Sequence, residues 1–487
     1  MTDARHDTGD MDPETFRREG YRVVDWIADY FAHPERYPVL SQVKPGDIKR
    51  SLPQQPPEEG EDFASILADF DTLIVPGITH WNHPGFFAYF AITGSAPGVL
   101  GEFLSAALNA QGMLWRTSPS VTELEEVALG WLRQLMGLPD SFEGVIYDTA
   151  SISSLHALAT AREAAVARVR TAGMAGRPEL PRYRVYCSDQ AHSSIDKAVI
   201  LLGLGHDSLK RIESDADFRM RPDQLERAIA EDRAAGIVPM AVVATVGTTS
   251  TTSVDPVAAI AGICEREQAW LHVDCAYGGA AAIVPEYRHV LDGVERADSM
   301  VVNPHKWLFT PFDLSAFYCR RMDLLRQAFS LTPEYLRTTE AGAVKNLMDT
   351  GVQLGRRFRA LKLWIILRFF GAEGIRARLV EHIRLAQVFA GWVDADPDFE
   401  RLAPAPFSVV CFRAKPRGRE WLEGELEVLN QALLDAMNAT GEVFLSHTKL
   451  NGRFTLRLAV GNLRTEERHV ARAWELAKSL APKAVGM

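Results

Sequence analysis

The segment "MAVVATVGTTSTTSVDPVAAIAGICEREQAWLHVDCA" (residues 240–276) contains a complete strand–helix–strand pattern. Its first and last parts, "MAVVATVGTT" and "AWLHVDCA", are short apolar runs that end in small or polar residues. Such runs predict buried strands, and the intervening "DPVAAIAGICERE" predicts a helix. A helix that connects two buried strands is typical of a parallel sheet.

The same alternation continues on both sides of this segment. Upstream, the predicted strands "GVIY" and "YRVYCSD" precede the predicted helices "ISSLHALATAREAAVARVR" and "SSIDKAVILLG". Downstream, "SMVVN" is a further apolar strand. Strands that are apolar throughout are typical of a parallel sheet with helices on both faces. The sequence therefore predicts an α/β domain with a mainly parallel sheet.

The two ends of the chain differ from this pattern. From about residue 354, two long helices, "GRRFRALKLWIILRFFG" and "IRARLVEHIRLAQVFAGWV", precede the strands "PFSVVCFRA", "EVFLSHTKL" and "RFTLRLAV". This order predicts a smaller α+β domain. At the other end, Asp12-Pro13 predicts a helix start, and the helix has one apolar face made by Phe16, Val23, Val24, Ile27 and Phe31.

Because this first helix precedes every strand signal, we expect it to pack on another part of the assembly, such as a second subunit. The predicted domains are thus an N-terminal helical arm (1–86), a large domain (87–354) and a small C-terminal domain (355–487).

Composition excludes several classes of function. The chain has 487 residues, 47% of them hydrophobic and 24% charged, and a net charge of −10. The negative charge and the lack of a basic run argue against a nucleic-acid surface. No apolar window approaches the roughly 20 residues that a membrane span needs, and the N-terminus lacks an apolar signal core. We expect a cytoplasmic enzyme.

The cysteine pattern agrees with a reducing compartment. No CxxC pair occurs, the number of cysteines is odd, and each cysteine lies in a segment that is expected to be buried. We therefore expect reduced core thiols rather than disulfides or a metal site. The five cysteines are Cys187, Cys264, Cys275, Cys319 and Cys411.

Polar residues follow each predicted strand of the large sheet. Ligands of open α/β sheets bind beyond the carboxyl ends of the strands, so these residues are the candidate site. In chain order they are Asp148, Thr149, Ala150 and Ser151; Gln190 and His192; Thr248 and Thr249; Asp274, Cys275 and Ala276; and Asn303, Pro304, His305 and Lys306.

These groups fit one ligand. Residues 149–151 at a helix N-terminus offer hydroxyls, backbone N–H groups and a positive dipole end, which suit a phosphate. Asp274 can pair with a cationic ring nitrogen, and His192 can lie flat on an aromatic ring. Lys306 stands in an apolar run, "SMVVNPHKWLFTPFDLSAFYC" (299–319), and can form an imine. Together they indicate pyridoxal 5′-phosphate held as a Schiff base on Lys306.

Each feature also has a simpler explanation. Residues 149–151 resemble an ordinary N-cap, and an aspartate such as Asp274 is common in turns after strands. A single histidine such as His192 is usually a hydrogen-bonded core residue, and a lysine such as Lys306 can extend its ammonium to water. Taken one at a time these features decide nothing, but their occurrence at successive strand ends favours the cofactor.

The sequence resembles the group II pyridoxal-phosphate decarboxylases, most closely the aromatic-L-amino-acid decarboxylases. The resemblance runs from about Pro13 to about Lys478 and rests on "PGITHWNHPGFFAYF", "SPSVTELE", "SDQAHSS", "ATVGTT", "LHVDCAYGG", "ADSMVVNPHKW" and "LGRRFRALKLW". It implies a PLP-dependent transferase-like (fold type I) large domain with a mainly parallel seven-stranded sheet, an N-terminal helical arm and a smaller α+β domain. It also implies a homodimer with shared active sites, in which the N-terminal arm (1–86) is swapped between subunits.

The resemblance assigns four catalytic roles. Lys306 is the imine lysine, and Asp274 keeps the pyridine nitrogen protonated. His192 stacks on the ring, and Tyr335 lies on a mobile loop that reaches the neighbouring subunit's site and protonates the substrate carbon after carbon dioxide leaves. The implied cofactor-binding residues are Thr149, Ala150, Ser151, His192, Thr249, Asp274, Ala276, Asn303, His305 and Lys306.

The implied substrate pocket is apolar and aromatic. Its residues are Trp81, Tyr89, Phe90, Ile92, Met113 and Gly355. The chain shows no obvious pair of basic residues for a side-chain carboxylate, which disfavours glutamate. Ile92 and Met113 stand where animal members have threonine and phenylalanine, and Gly355 resembles the small residue that accompanies indole acceptance in plant members. The pattern leans toward tryptophan but leaves DOPA, tyrosine and phenylalanine open.

Two rival functions share this scaffold. One is an aromatic aldehyde synthase, which decarboxylates and oxidatively deaminates. In the family this behaviour accompanies loss of the loop tyrosine or of the stacking histidine, and both Tyr335 and His192 are present. The other is a catalytically silent scaffold protein, but such proteins lose the imine lysine or its aspartate partner, and this chain has both. Neither a GxxxxGK[ST] loop nor a GxGxxG turn after a strand supports nucleotide binding.

Overall fold

The large sheet has the predicted α/β architecture. The computed structural model describes residues 9–331 and 344–485. The seven strands of this sheet are β1 (Glu143–Tyr147), β2 (Arg182–Ser188), β3 (Leu209–Ile212), β4 (Ile237–Thr245), β5 (Trp270–Asp274), β6 (Ser299–Val302) and β7 (Ser315–Cys319). Their order is β1-β7-β6-β5-β4-β2-β3. Only β7 runs antiparallel to its neighbours, which confirms the mainly parallel seven-stranded sheet.

Helices cover both faces of this sheet. Apolar side chains of the strands and of the covering helices form buried clusters on the two faces. The helices of this part of the chain are α4 (Ala96–Leu108), α5 (Pro119–Met136), α6 (Ala150–Ala165), α7 (Val169–Ala172), α8 (Ser194–Leu201), α9 (Pro222–Ala234), α10 (Val257–Glu267), α11 (Pro304–Trp307) and α12 (Met322–Phe329).

A second, antiparallel sheet lies in the C-terminal part of the chain. Its strands are β8 (Phe399–Arg401), β9 (Val409–Ala414), β10 (Ser446–Leu450) and β11 (Arg453–Ala459), in the order β10-β11-β9-β8. The accompanying helices are α13 (Arg359–Ala395), α14 (Glu423–Ala439) and α15 (Glu467–Val485). Gly371 interrupts α13 with φ 62°, so the two helices predicted here are present as one interrupted element.

The N-terminal segment contains α1 (Pro13–Ala32), α2 (Asp47–Ser51) and α3 (Phe63–Asp69). The carboxylate of Asp12 accepts hydrogen bonds from the N–H groups of Glu14 and Thr15, which confirms the predicted start of α1. Phe16 and Val24 on its apolar face are exposed. Helix α4 likewise exposes apolar side chains, at Leu100, Phe103, Leu104 and Leu108.

None of the helices within residues 9–331 and 344–485 is long and apolar enough to cross a bilayer. The predicted domain boundaries at residues 86/87 and 354/355 stay predictions.

Candidate active site

Lys306 follows the end of β6 and lies in the short helix α11 (Pro304–Trp307). Asn303 follows the strand, and its N–H donates to the carbonyl of Ala276 at 3.1 Å, which ties the end of β6 to the end of β5. The short helix α11 then begins, and the N–H of Lys306 donates to the carbonyl of Asn303 at 2.9 Å. These two backbone bonds place the lysine beside Asp274, the last residue of β5.

The amine of Lys306 is desolvated. Its neighbours His305 and Trp307 are 2% and 0% exposed. The Nζ atom lies 5.2 Å from the centroid of the Phe90 ring, and no hydrogen-bond acceptor from the described residues reaches it. Burial lowers the pKa of this lysine, and the charge of Asp274 opposes the shift. The shift is toward the neutral amine, which is the nucleophilic form.

Asp274 presents one free carboxylate oxygen. The residue is 6% exposed, and its Oδ1 accepts a hydrogen bond from the N–H of Ala276 at 3.0 Å. Within the described residues, no donor reaches Oδ2. A buried carboxylate with an unpaired oxygen is suited to a cationic partner such as a protonated ring nitrogen.

His192 shares the electrostatic environment of these two groups. Its Nδ1 accepts a hydrogen bond from the N–H of Ser194 at 3.1 Å, so the neutral ring carries its proton on Nε2. Burial lowers the pKa of His192, Asp274 counteracts the shift and Lys306 adds to it. The structure thus brings together three of the four predicted catalytic residues. Tyr335, the fourth, lies outside the described residues.

The predicted phosphate cradle lies at the start of α6. Thr149 is the N-cap residue, with extended backbone. The N–H groups of Ala150 and Ser151 at the first positions of the helix have no acceptor among the described residues, as expected for a free helix N-terminus. The side chain of Asn303 is 2% exposed, and its Oδ1 is unpaired. The free N–H donors at this helix N-terminus fit a phosphate, whereas the unpaired Oδ1 of Asn303 is an acceptor and needs a donor.

The other predicted cofactor residues contribute in different ways. Ala276 is 7% exposed and lies against Asp274. His305 uses Nδ1 to accept a hydrogen bond from the N–H of Leu314 at 2.9 Å, which anchors α11 to the start of β7. The carbonyl of Thr249 accepts a hydrogen bond from Arg457 at 2.9 Å.

Three predicted substrate residues form one aromatic wall. Trp81 stacks on Phe86 at 4.3 Å and on Tyr89 at 5.9 Å between ring centroids. Phe90 stacks on Tyr277 at 4.0 Å and faces Lys306. Ile92, further along this segment, is half-buried.

Met113 and Gly355 lie in a different group. The carbonyl of Met113 accepts a hydrogen bond from the N–H of Met348 at 3.1 Å. The N–H of Gly112 donates to the carbonyl of Arg356 at 2.9 Å, which brings the Met113 and Gly355 segments together. No hydrogen bond or ring contact between described residues joins this group to Lys306. Within one chain, the six predicted substrate residues therefore form two groups.

Two residues that the sequence analysis assigned no role contribute to the site. Tyr277 stacks on Phe90 and also on Trp307, at 4.6 Å between centroids. Arg457 on β11 is buried, and its guanidinium carbon lies 5.4 Å from the centroid of Phe90. Tyr277 lies within the motif "LHVDCAYGG", and Arg457 is a charged residue inside a predicted strand, so each had a signal in the sequence.

Comparison with known proteins identifies the family. The sequence model described as "Pyridoxal-dependent decarboxylase conserved domain" matches residues 45–415. The chain belongs to the pyridoxal-dependent decarboxylase family. Pyridoxal 5′-phosphate is therefore its cofactor, and the predictions of this cofactor and of a carboxy-lyase are confirmed.

Relatives within this family agree over nearly the whole chain. Tryptophan decarboxylase 2 of Oryza sativa subsp. japonica is 41% identical over 486 residues, which cover 98% of this chain and 96% of the relative. Phenylacetaldehyde synthase of Arabidopsis thaliana is 42% identical over 481 residues, which cover 97% and 96%. The crystal structure of Oryza sativa TDC with PLP and tryptamine matches with a TM-score of 0.94 and 39% identity, over 98% of this chain and 99% of that one.

His305 makes the stability of this decarboxylase sensitive to acid. Burial lowers the pKa of His305 from its ordinary value of 6.5 to about 3. As the pH falls below 6.5, the unfolded chain binds a proton that the folded chain excludes, so stability decreases until about pH 3. Between pH 7 and pH 5, we expect the free energy of unfolding of the wild type to fall by about 1–2 kcal/mol more than that of His305→Asn. The Oδ1 of the asparagine can still accept the hydrogen bond from the N–H of Leu314.

Urea denaturation at the two pH values measures this difference. His33→Asn, at an exposed histidine of the N-terminal segment, is the matched control. An equal loss of stability in His305→Asn and in the wild type would contradict the prediction.

Proposed function

We propose that this protein decarboxylates an aromatic L-amino acid to the arylalkylamine and carbon dioxide. The observation that carries the proposal is the buried amine of Lys306, which lies beside Asp274 and His192 and below the ring of Phe90. The relatives named tryptophan decarboxylase and tyrosine decarboxylase support the aromatic substrate.

The cofactor supplies an electron sink for the pair that remains when the bond between Cα and the carboxylate breaks. The chain's own residues prepare this step. Lys306 would hold the cofactor covalently through its amine, whose pKa burial lowers. Asp274, with its free Oδ2, would hold a protonated ring nitrogen, and His192 would lie against the ring.

The aromatic wall serves the same step. Trp81, Tyr89 and Phe90 surround the substrate with apolar surface, and removing water from a carboxylate favours its loss as carbon dioxide. Among the residues described around Phe90, an acidic side chain of a substrate would find no free cationic partner other than Lys306. The one buried guanidinium beside Phe90, that of Arg457, already donates to main-chain oxygens of Tyr89, Thr249 and Ser250.

The proposed enzyme is a cytoplasmic homodimer with shared active sites. Within the described residues of one chain, no hydrogen bond or ring contact joins Met113 or Gly355 to the Lys306 group, and we infer that a second chain brings them to it. Exposed apolar side chains on α1 and α4 provide a surface for such an association. The five cysteines are all buried and free, which suits a reducing compartment.

The first experiment tests the reaction and its substrate. We expect the purified protein with added cofactor to release carbon dioxide and the matching amine from at least one of tryptophan, 5-hydroxytryptophan, tyrosine, DOPA and phenylalanine. Lys306→Ala removes the attachment point, so its rate should fall by at least a thousandfold, on the order expected for loss of covalent catalysis. Release of carbon dioxide from glutamate alone would contradict the aromatic substrate.

A second experiment separates decarboxylation from aldehyde synthesis. With Tyr335 present as the proposed proton donor, the wild type should yield amine. In Tyr335→Phe the substrate carbon is protonated more slowly, so molecular oxygen can oxidise it by two electrons and is itself reduced to hydrogen peroxide. Water then hydrolyses the resulting imine to aldehyde and ammonia. Product analysis by chromatography and a peroxidase-coupled assay measures the shift. Hydrogen peroxide as a major product of the wild type would instead favour the aldehyde synthase.

A third experiment tests whether the sites are shared. Lys306→Ala and Tyr335→Phe chains are co-expressed with different affinity tags, and the hybrid dimer is isolated. If Tyr335 acts on the partner's Lys306, one of the two sites in the hybrid contains both wild-type residues. The hybrid should then produce amine at about half the wild-type rate per dimer. A hybrid that yields aldehyde in place of amine would show that both residues act within one chain.

A further inference from the structure

Arg457 is held almost entirely by main-chain oxygens. It lies on β11 opposite Ser446 of β10 and is 4% exposed. Its Nε donates to the carbonyl of Ser250 at 2.8 Å, and Nη2 donates to the carbonyl of Thr249 at 2.9 Å. No carboxylate within the described residues pairs with it. A buried guanidinium is costly without partners, so these acceptors fix its position.

The remaining bonds of Arg457 reach Tyr89. Its Nη1 donates to the carbonyl of Tyr89 at 3.4 Å and to Ser446 Oγ at 3.0 Å. The hydroxyl oxygen of Ser446 in turn accepts a hydrogen bond from the N–H of Tyr89 at 3.1 Å. Arg457 and Ser446 therefore hold both backbone groups of this residue, and we call this pair the Tyr89 clamp.

Tyr89 needs such support because its backbone is strained. Its φ of 50° lies in the left-handed region, which costs a residue with a β-carbon about 1 kcal/mol or more. Strained residues persist only where the surroundings over-determine them, and they concentrate at functional sites. The ring centroid of the next residue, Phe90, lies 5.2 Å from Lys306 Nζ and 5.4 Å from the guanidinium carbon of Arg457.

We propose that Arg457, acting with Ser446, is a positioning residue that sets the substrate wall by holding Tyr89 in its left-handed conformation. The clamp fixes where the rings of Tyr89 and Phe90 stand relative to Lys306. The N–H groups of the Arg457 guanidinium donate to acceptors of the chain itself. Arg457 therefore acts on the binding of the substrate's ring rather than on the bond that breaks. This inference rests on the proposed function for the identity of the substrate.

The test compares two clamp variants with a control on the same strand. Arg457→Lys keeps the charge but cannot reach all four acceptors, and Ser446→Ala removes the partner of the Tyr89 N–H. Arg453→Lys, at the exposed start of β11, is the control. We expect Arg457→Lys to raise KM for the preferred aromatic amino acid about tenfold and to change kcat less than about threefold. Ser446→Ala should raise KM about threefold.

Two further readouts do not depend on turnover. The dissociation constant of tryptamine, followed by fluorescence, should rise with KM in both clamp variants. The near-ultraviolet circular dichroism, to which the Trp81 and Tyr89 rings contribute with the other aromatic side chains, should change relative to Arg453→Lys. The visible absorbance of the bound cofactor should stay the same, because Lys306 and Asp274 are untouched.

Several results would overturn the proposal. The first is that Arg457→Lys and Arg453→Lys have the same KM and the same affinity for tryptamine. Another is a loss confined to kcat or accompanied by loss of cofactor absorbance. If Arg457→Lys does not fold, Ser446→Ala decides on the same criteria. A wild type that decarboxylates no aromatic amino acid contradicts the proposed function instead, and the circular dichroism comparison then decides the clamp alone.

Discussion

The desolvation of one amine is the constraint on which the site depends. Lys306 is surrounded by apolar side chains, and the cost of burying its charge lowers its pKa. The nearby carboxylate of Asp274 limits that cost without forming a hydrogen bond to Nζ. The backbone bond between Asn303 and Ala276 sets this arrangement, because it fixes the end of β6 against the end of β5. The distance between acid and amine is thus a property of the sheet rather than of flexible side chains.

A chain of buried hydrogen bonds connects the residue after Lys306 to the aromatic wall. The indole N–H of Trp307 donates to Nδ1 of His382 at 3.0 Å, and Nε2 of His382 donates to the carbonyl of Asn462 at 3.1 Å. The side-chain amide of Asn462 then donates to the carbonyls of Trp81 and His83, both at 3.0 Å. The residue that follows the lysine is therefore connected to the backbone of the aromatic wall through the C-terminal part of the chain.

The sheet and the residues at its strand ends could be predicted from the sequence because each depends on local patterns. Apolar runs predicted β4, β5 and β6, and the polar residues after them predicted Asp274 and Lys306. Strand β3 was missed because Lys210 and Arg211 are exposed at the sheet edge and break the apolar run. Arg457 was missed for a different reason. Its acceptors lie far away in sequence, at Tyr89, Thr249 and Ser250, and no local pattern reveals that these carbonyls converge on one guanidinium.

The aromatic wall and the reactive lysine belong to different structural layers. Trp81 and Tyr89 pack against Phe86 and Phe444 and are bonded to β10 and β11, whereas Lys306 and Asp274 are fixed by the parallel strands. Evolution can consequently alter ring preference by repacking the antiparallel layer while leaving the chemical machinery intact. Such a division of labour explains how one ancestral scaffold can diversify into enzymes for different aromatic side chains, and it marks the antiparallel layer as the place to begin a redesign of selectivity.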